Sequence, residues 1–525
     1  MRSGWLLALL PMVFGNCACR APPRDPRTLV VLSLAEPHHL DPRYPEDLLG
    51  ASLGRLTFAG LMDSDPGTLL PRPALAEAVT FPDTTTVRVT LRQGLTFRDG
   101  SALTARDVVA TYRSILDPST TSRLRGTYAR TFRAVRELDP RTLEFQLERQ
   151  DGTVEVLLQQ PIVSARQAGP SELLAAPGNE ARFLGAGPVG VESLRRGDWT
   201  FLRRAPSEGA PSRLRLLSLR DPNTLALRLL HGEGDAAELK PELYPVFERD
   251  PRFRVVSAAS VGLTHFGLRC DHPRLQDVRV RRAIAHALDR EGLRRSRFGA
   301  RALASTGPLP PHHWAYTPAV PRYTYDPALA RRLLDEAGLR PDANGVRARF
   351  VLRVSSQRFA VTLGRALVAM LGAVGLSVEL RPSELATLLV DVRAGRFDMT
   401  LLTIPDLSDP MGLAFWFHSA SIPVPGARSA GGNRWRFRDA ELDRSLDEGA
   451  RALGPDARRP HYVNAQRILA ERLPVIPLWH PDVVWVARRS LGPFTPRGDG
   501  GLEFLLDLGR RVTGLPAPAL TVPAP

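Results

Sequence analysis

The stretch that most constrains this chain is 395–410, GRFDMTLLTIPDLSDP. Residues 399–404 form a short apolar run with β-branched Thr400, Thr403 and Ile404. That composition suits a buried strand of a parallel or mixed sheet. Pro405 stops the run, and Asp406-Leu407-Ser408-Asp409-Pro410 then reads as a turn. Open α/β sheets bind ligands where strands end in such loops. Each carboxylate has two readings, an Asx residue that closes the turn or a ligand contact. Asp409, next to Pro410, suits the turn that caps a following helix. Asp406 is the candidate ligand contact.

The rest of the chain has to be large enough to surround such a sheet. At 525 residues it has room for about three domain-sized units. Its hydrophobic content of 43% and charged content of 24% are those of a soluble globular protein. The formal charge of +15 is almost wholly arginine, with Lys240 the sole lysine. The arginines are dispersed, and no helix-turn-helix, zinc-finger or RNA-binding signature accompanies them. The charge therefore reads as a compositional bias over a solvated surface, and no nucleic-acid partner is expected.

The N-terminus reads as a targeting segment. Arg2 supplies a positive start, and residues 5–14 are an apolar run too short to span a bilayer. It ends in Gly15-Asn16-Cys17-Ala18-Cys19, which resembles the lipid-attachment site of bacterial lipoproteins. Cys19, preceded by Ala18, is favoured over Cys17. With residues 1–19 taken as a signal peptide, Cys270 stands alone in the mature body, so no internal disulfide is expected. Residues 20–27, rich in Pro and Arg, read as a tether, and residues 513–525 as a disordered tail.

Between these ends, the pattern predicts strands at 28–34, 87–91, 143–147, 213–219, 254–257 and 264–269. A helix is expected from Thr104, with Asp107 completing a capping-box arrangement and Pro118 stopping it. A second helix covers 223–230. Past residue 269 the order becomes helix, strand, helix, strand: helices from Asp277, over 327–337 and over 361–371, strands at 350–354 and 377–380. A helix over 461–473 precedes Pro474, and 475–486 reads as one returning strand. The Gly185–Pro188 turn lacks the spacing of a nucleotide loop. The adjacent His38 and His39 have no partner at ligand spacing and read as surface. No nucleophile–base–acid set, HExxH, phosphate loop or CxxC pair is present. No enzyme activity, cofactor or metal is expected, and an exported binding protein is.

Several blocks carry a family resemblance. Phe97-Arg98-Asp99-Gly100-Ser101-Ala102-Leu103-Thr104-Ala105-Arg106-Asp107-Val108-Val109 resembles the F-x-D-G-x-x-L-T-A-x-D-V-V block of the extracellular solute-binding proteins of family 5, the peptide- and nickel-binding subunits of ABC importers. Gly185-Ala186-Gly187-Pro188, Leu230-His231-Gly232-Glu233-Gly234-Asp235, the run from Asp277 to Arg290, Tyr325-Asp326-Pro327 and Pro474-Val475-Ile476-Pro477-Leu478 resemble further blocks in the family's order.

The resemblance implies an α/β fold, a two-lobed clamshell of the periplasmic-binding-protein class with an extra β-rich subdomain in lobe one. Lobe one would take 28–50, 165–263 and 484–512, the subdomain 51–164, and lobe two 264–483. The strands at 264–269 and 483–486 would be the hinges. In family peptide binders an acidic residue after a lobe-two strand holds the peptide's α-ammonium, and Asp406 falls on that position. Leu402, Thr403 and Ile404 would pair with an extended ligand. Glu36 resembles the acidic residue of lobe one that faces the same cleft. Two departures stand out: Leu402-Thr403 replaces Gly-Trp, and Leu407 replaces an aromatic residue, which removes stacking surface. The function implied is capture of a peptide-like or other small solute by hinge closure and delivery to an ABC permease. The protein would be a monomer, held at the membrane, periplasmic or on the cell surface, by its lipid. The alternative is a sensor or scaffold lipoprotein that feeds no transporter.

Overall fold

The computed structural model describes residues 25–169, 183–206, 210–299, 301–424 and 431–508. The signal-peptide, lipid-attachment and tail expectations fall outside these residues. Of the tether, residues 25–27 are described, and Asp25 accepts from the backbone N–H of Arg27 at the entry to the first strand.

Two large mixed sheets organise the chain. The first has seven strands in the order Phe253–Ala259, Asp482–Arg488, Ala236–Glu238, Thr28–Ser33, Arg213–Ser218, Asp198–Arg203, Val189–Arg195. The second has six: Leu303–Ala304, Val475–His480, Leu263–Leu268, Met399–Ile404, Ala348–Ser355 and Leu376–Ser383. Both bury apolar side chains on each face, which is why their central strands read as continuous apolar runs.

A separate four-stranded antiparallel sheet, Ala76–Asp83, Thr86–Leu91, Thr142–Leu147 and Phe132–Asp139, has its own core. Alternation in Thr86–Leu91 puts Val87, Val89 and Leu91 inside. The helix Ala105–Leu116 closes that core with Val108, Tyr112 and Ile115 fully buried. Asp107 accepts from the Thr104 N–H at 2.9 Å and also from Ala165 N, so the cap ties the helix to the next segment.

Two expectations need correction. Residues 475–486 are not one strand. Val475–His480 belongs to the six-stranded sheet and Asp482–Arg488 to the seven-stranded one. The break is Pro481, which has no N–H to continue a ladder. The helix expected from His461 runs as Pro455–Arg472 and carries Pro460 inside it. Pro455 occupies a first-turn position where no N–H is needed, so the helix starts before the internal proline.

The chain passes between the large sheets at residues 260–262 and again at Pro481. These crossovers, rather than the regular strands flanking them, are the connections. His480 is fully buried, and its Nδ1 lies 2.8 Å from the carbonyl oxygen of Gly262, so each crossover is fastened to the other.

Candidate ligand-binding site

The site is built on Met399–Ile404. Its Met399, Thr400 and Ile404 are fully buried, and the Thr400 hydroxyl donates to the carbonyl of Arg353. The strand pairs antiparallel with Leu263–Leu268 along its whole length. The Arg269 N–H donates to Asp398 O at 2.9 Å on that side. By alternation, Leu401 and Thr403 turn their backbone groups to the other side. There the parallel neighbour Ala348–Ser355 meets the strand only at Met399 and Thr400. Beyond Thr400 the edge at Leu402, Thr403 and Ile404 has no strand partner among the described residues. Thr403 is exposed and Leu402 half-buried.

The strand ends at exposed Pro405 and Asp406. Oδ1 of Asp406 accepts from Ser408 N at 2.8 Å, an Asx turn that leaves Oδ2 without a hydrogen bond among the described residues. Leu407 points inward, 1% exposed, among Leu263, Ile404, Leu413 and Phe417. The expected loss of stacking surface at this position is therefore corrected: the side chain after Asp406 packs the core and does not face solvent. Gly262 sits against the strand's end, where a Cβ would lie 3.0 Å from the carbonyl oxygens of Ile404 and Pro405. The crossover and the strand end thus fit together as one packed unit.

Asp409 has a larger role than the turn. Its Oδ1 accepts from Met411 N, as an Asx residue does. Both oxygens also receive the Arg458 guanidinium, Nη2–Oδ1 at 2.8 Å and Nη1–Oδ2 at 3.3 Å. Burial acts to lower the pKa of Arg458, and the Asp409 charge more than offsets it, holding the group well above the usual arginine value. Arg458 also lies over the rings of Trp314 and Tyr462. Beside them, burial pushes His313 down to about 4. Glu155, from the segment next to the four-stranded sheet, faces this pair; burial raises its pKa, and Oε2 has no hydrogen-bond partner among the described residues.

Sequence reasoning missed Arg458, Trp314, His313 and Glu155. No local spacing links them to Asp409, because Arg458 lies 49 residues away in sequence.

Around this cluster the two halves touch. Gly152 N donates to Ala450 O at 2.7 Å and Trp314 N to Thr68 O at 3.0 Å. Gln150 Nε2 donates to Arg451 O at 3.0 Å. On another side, Glu242 pairs with Arg297 and Glu248 with Arg301, and Arg301 covers the Tyr244 ring. Glu36 lies by the seven-stranded sheet, where its Oε1 accepts from Gly197 N at 2.9 Å and closes that turn.

Among the described residues no group of three or more His, Cys, Asp or Glu is placed to hold a metal ion. His38 and His39 both face Glu46, at 3.6 and 4.0 Å. Nor is any described helix long and apolar enough to cross a membrane.

Residues 71–422 match the profile of the bacterial extracellular solute-binding proteins, family 5 Middle. The chain belongs to this family. Family 5 proteins are binding proteins of periplasmic or extracellular location with a two-lobed fold. A similar relative is di/tripeptide-binding protein 2 of Pseudomonas aeruginosa, 27% identical, with 94% of this chain and 96% of the relative covered. Solved structures share the fold. The ABC transporter substrate-binding protein CtaP of Listeria monocytogenes has a TM-score of 0.80 at 21% identity, covering 92% of this chain and 98% of that one. The oligopeptide-binding protein AppA of Bacillus subtilis, in complex with a nonapeptide, has a TM-score of 0.70 at 20% identity, again over 92% and 98%. The two large sheets of this family 5 chain are accordingly the cores of its two lobes.

Proposed function

We propose that this family 5 protein captures a peptide-like or other small solute between its lobes and delivers it to an ABC permease. The observation that carries the reading is the open backbone edge at Leu402–Thr403–Ile404 running directly into the exposed carboxylate of Asp406. An extended ligand adds to that edge as a strand, and its amine reaches Asp406. Glu36 adds negative charge from lobe one. The names of the relatives, a di/tripeptide-binding protein among them, support a peptide-like ligand. Lobe one comprises 28–50, 165–263 and 484–512, the subdomain 51–164 and lobe two 264–483, with motion at residues 260–262 and Pro481. Closure is a population shift toward the arrangement in which the halves touch at Gly152 and Trp314. The protein acts as a monomer tethered through lipid on Cys19 or Cys17.

The test is calorimetric titration with a panel of di- and tripeptides and their N-acetylated forms. Free amines are expected to bind, with N-acetylation or Asp406→Asn costing about 2–5 kcal/mol, roughly thirtyfold or more. Binding unaffected by both changes would remove the amine reading of Asp406.

A further inference from the structure

A second cavity, of about 400 Å³, lies in lobe two at the Leu303–Ala304 edge of the six-stranded sheet. It is covered by segments 304–308 and 321–325, and it does not include Asp406 or the 402–404 edge. Its size falls within the range of small-molecule sites, roughly 300–1,000 Å³. The walls are mainly apolar, formed by Leu469, Leu473, Val475, Leu478 and Phe417.

Two arginines line this space: Arg322 is exposed at its rim, and Arg290 is half-buried. Arg290 donates from Nη1 to Pro477 O at 2.9 Å and from Nη2 to Tyr323 O. A guanidinium has five N–H donors, so three remain. Among the described residues no carboxylate forms an ion pair with it. The two nearby acids on the rim are engaged: Asp289 caps its own helix at Gly292 N, and Glu291 holds Arg294 and Arg295. Burial lowers the pKa of Arg290, the mark of a cation whose desolvation is not offset by a counter-ion. Carbonyl dipoles alone leave a buried charge costly, and an anion in the cavity removes that cost.

We propose that this cavity is a second ligand site, which takes a small amphipathic monocarboxylate with its acid on Arg290 and its apolar body against Leu469, Leu473 and Phe417. A monoanion fits better than a phosphate dianion, because Arg290 is the half-buried cation, Arg322 lies exposed at the rim, and the remaining walls are mainly apolar. The site is independent of the cleft: the cleft offers a carboxylate to a cation, and this cavity offers a cation to a carboxylate.

The test uses sodium octanoate as probe and octan-1-ol as its neutral counterpart, by calorimetry and by thermal shift of the unmodified protein. Octanoate is expected to bind and to raise the melting temperature, with octan-1-ol at least about tenfold weaker. Arg290→Gln is expected to weaken octanoate by about tenfold or more, leaving octan-1-ol unchanged. Because Arg290 also holds two backbone carbonyls, a second variant guards against misfolding. Ala304→Trp, at an exposed position on the cavity wall, fills the space and is expected to abolish binding of both probes while the protein still melts cooperatively. Equal binding of the two probes, octanoate binding that survives Ala304→Trp, or no octanoate binding at millimolar concentration would each overturn the proposal. None of these outcomes bears on Asp406, so the cleft reading stands or falls separately.

Discussion

Arg458 and Asp409 form a bidentate ion pair with the arginine fully buried and the aspartate 9% exposed. Three residues before it, Asp406 is exposed and spends one oxygen on a turn. Two carboxylates in one pentapeptide therefore have opposite duties, one inside the structure and one at its surface.

Their substitutions should separate cleanly. Asp409→Asn leaves the Arg458 charge buried without its counter-ion and is expected to cost about 3–5 kcal/mol of stability. Asp406→Asn, at an exposed position, is expected to move stability by no more than about 0.5 kcal/mol. Urea denaturation of both variants checks this. A midpoint for Asp406→Asn as low as that for Asp409→Asn would contradict the division of roles.

Closure has its own handle at Gly152. A Cβ there would lie 1.7 Å from the carbonyl oxygen of Ala452, so no side chain fits while the halves touch. Gly152→Leu is expected to hold them apart, seen as a larger radius of gyration by solution scattering and weaker solute binding, with the isolated cores intact. An unchanged scattering profile would show that this contact does not define the closed arrangement.

Acid should weaken the protein through three buried histidines. Burial pushes His265, His313 and His480 down from 6.5 to about 4. Their unfolded forms bind protons below pH 6.5 while the folded forms resist, so stability is lost as pH falls from 6.5 through 4. At about 1.36 kcal/mol per pKa unit, each contributes roughly 3 kcal/mol at the acid end. For His480 the cause is visible: Nδ1 serves Gly262 O, and Nε2 is buried with no acceptor for a second proton among the described residues. Urea midpoints between pH 7 and 4 are expected to fall, and His480→Asn to flatten the profile.

Glu155 runs the other way. Burial raises its pKa above 4.5, so the penalty for its charge develops as pH rises through that value. Glu155→Gln is expected to be neutral or stabilising at pH 7 in thermal melts. A clear loss would mean that its charge supports Arg458 rather than burdening it.

The sequence by itself determined the local elements. The Met399–Ile404 strand, the Thr104 cap with Asp107, the turn at Asp406 and the run of family blocks are all encoded by neighbours within a few residues, where propensity, periodicity and cap chemistry act. Pro481 shows the limit: an apolar run on both sides reads as one strand, and only pairing partners elsewhere assign each half to a different sheet. The same holds for side chains. Whether Leu407 faces a ligand or a core depends on Leu263, Leu413 and Phe417 packing over it, and whether Asp409 is a turn residue or half of a buried ion pair depends on Arg458 from a distant helix. Burial and charge pairing are properties of the neighbours that the fold brings together, and those neighbours are not adjacent in the chain.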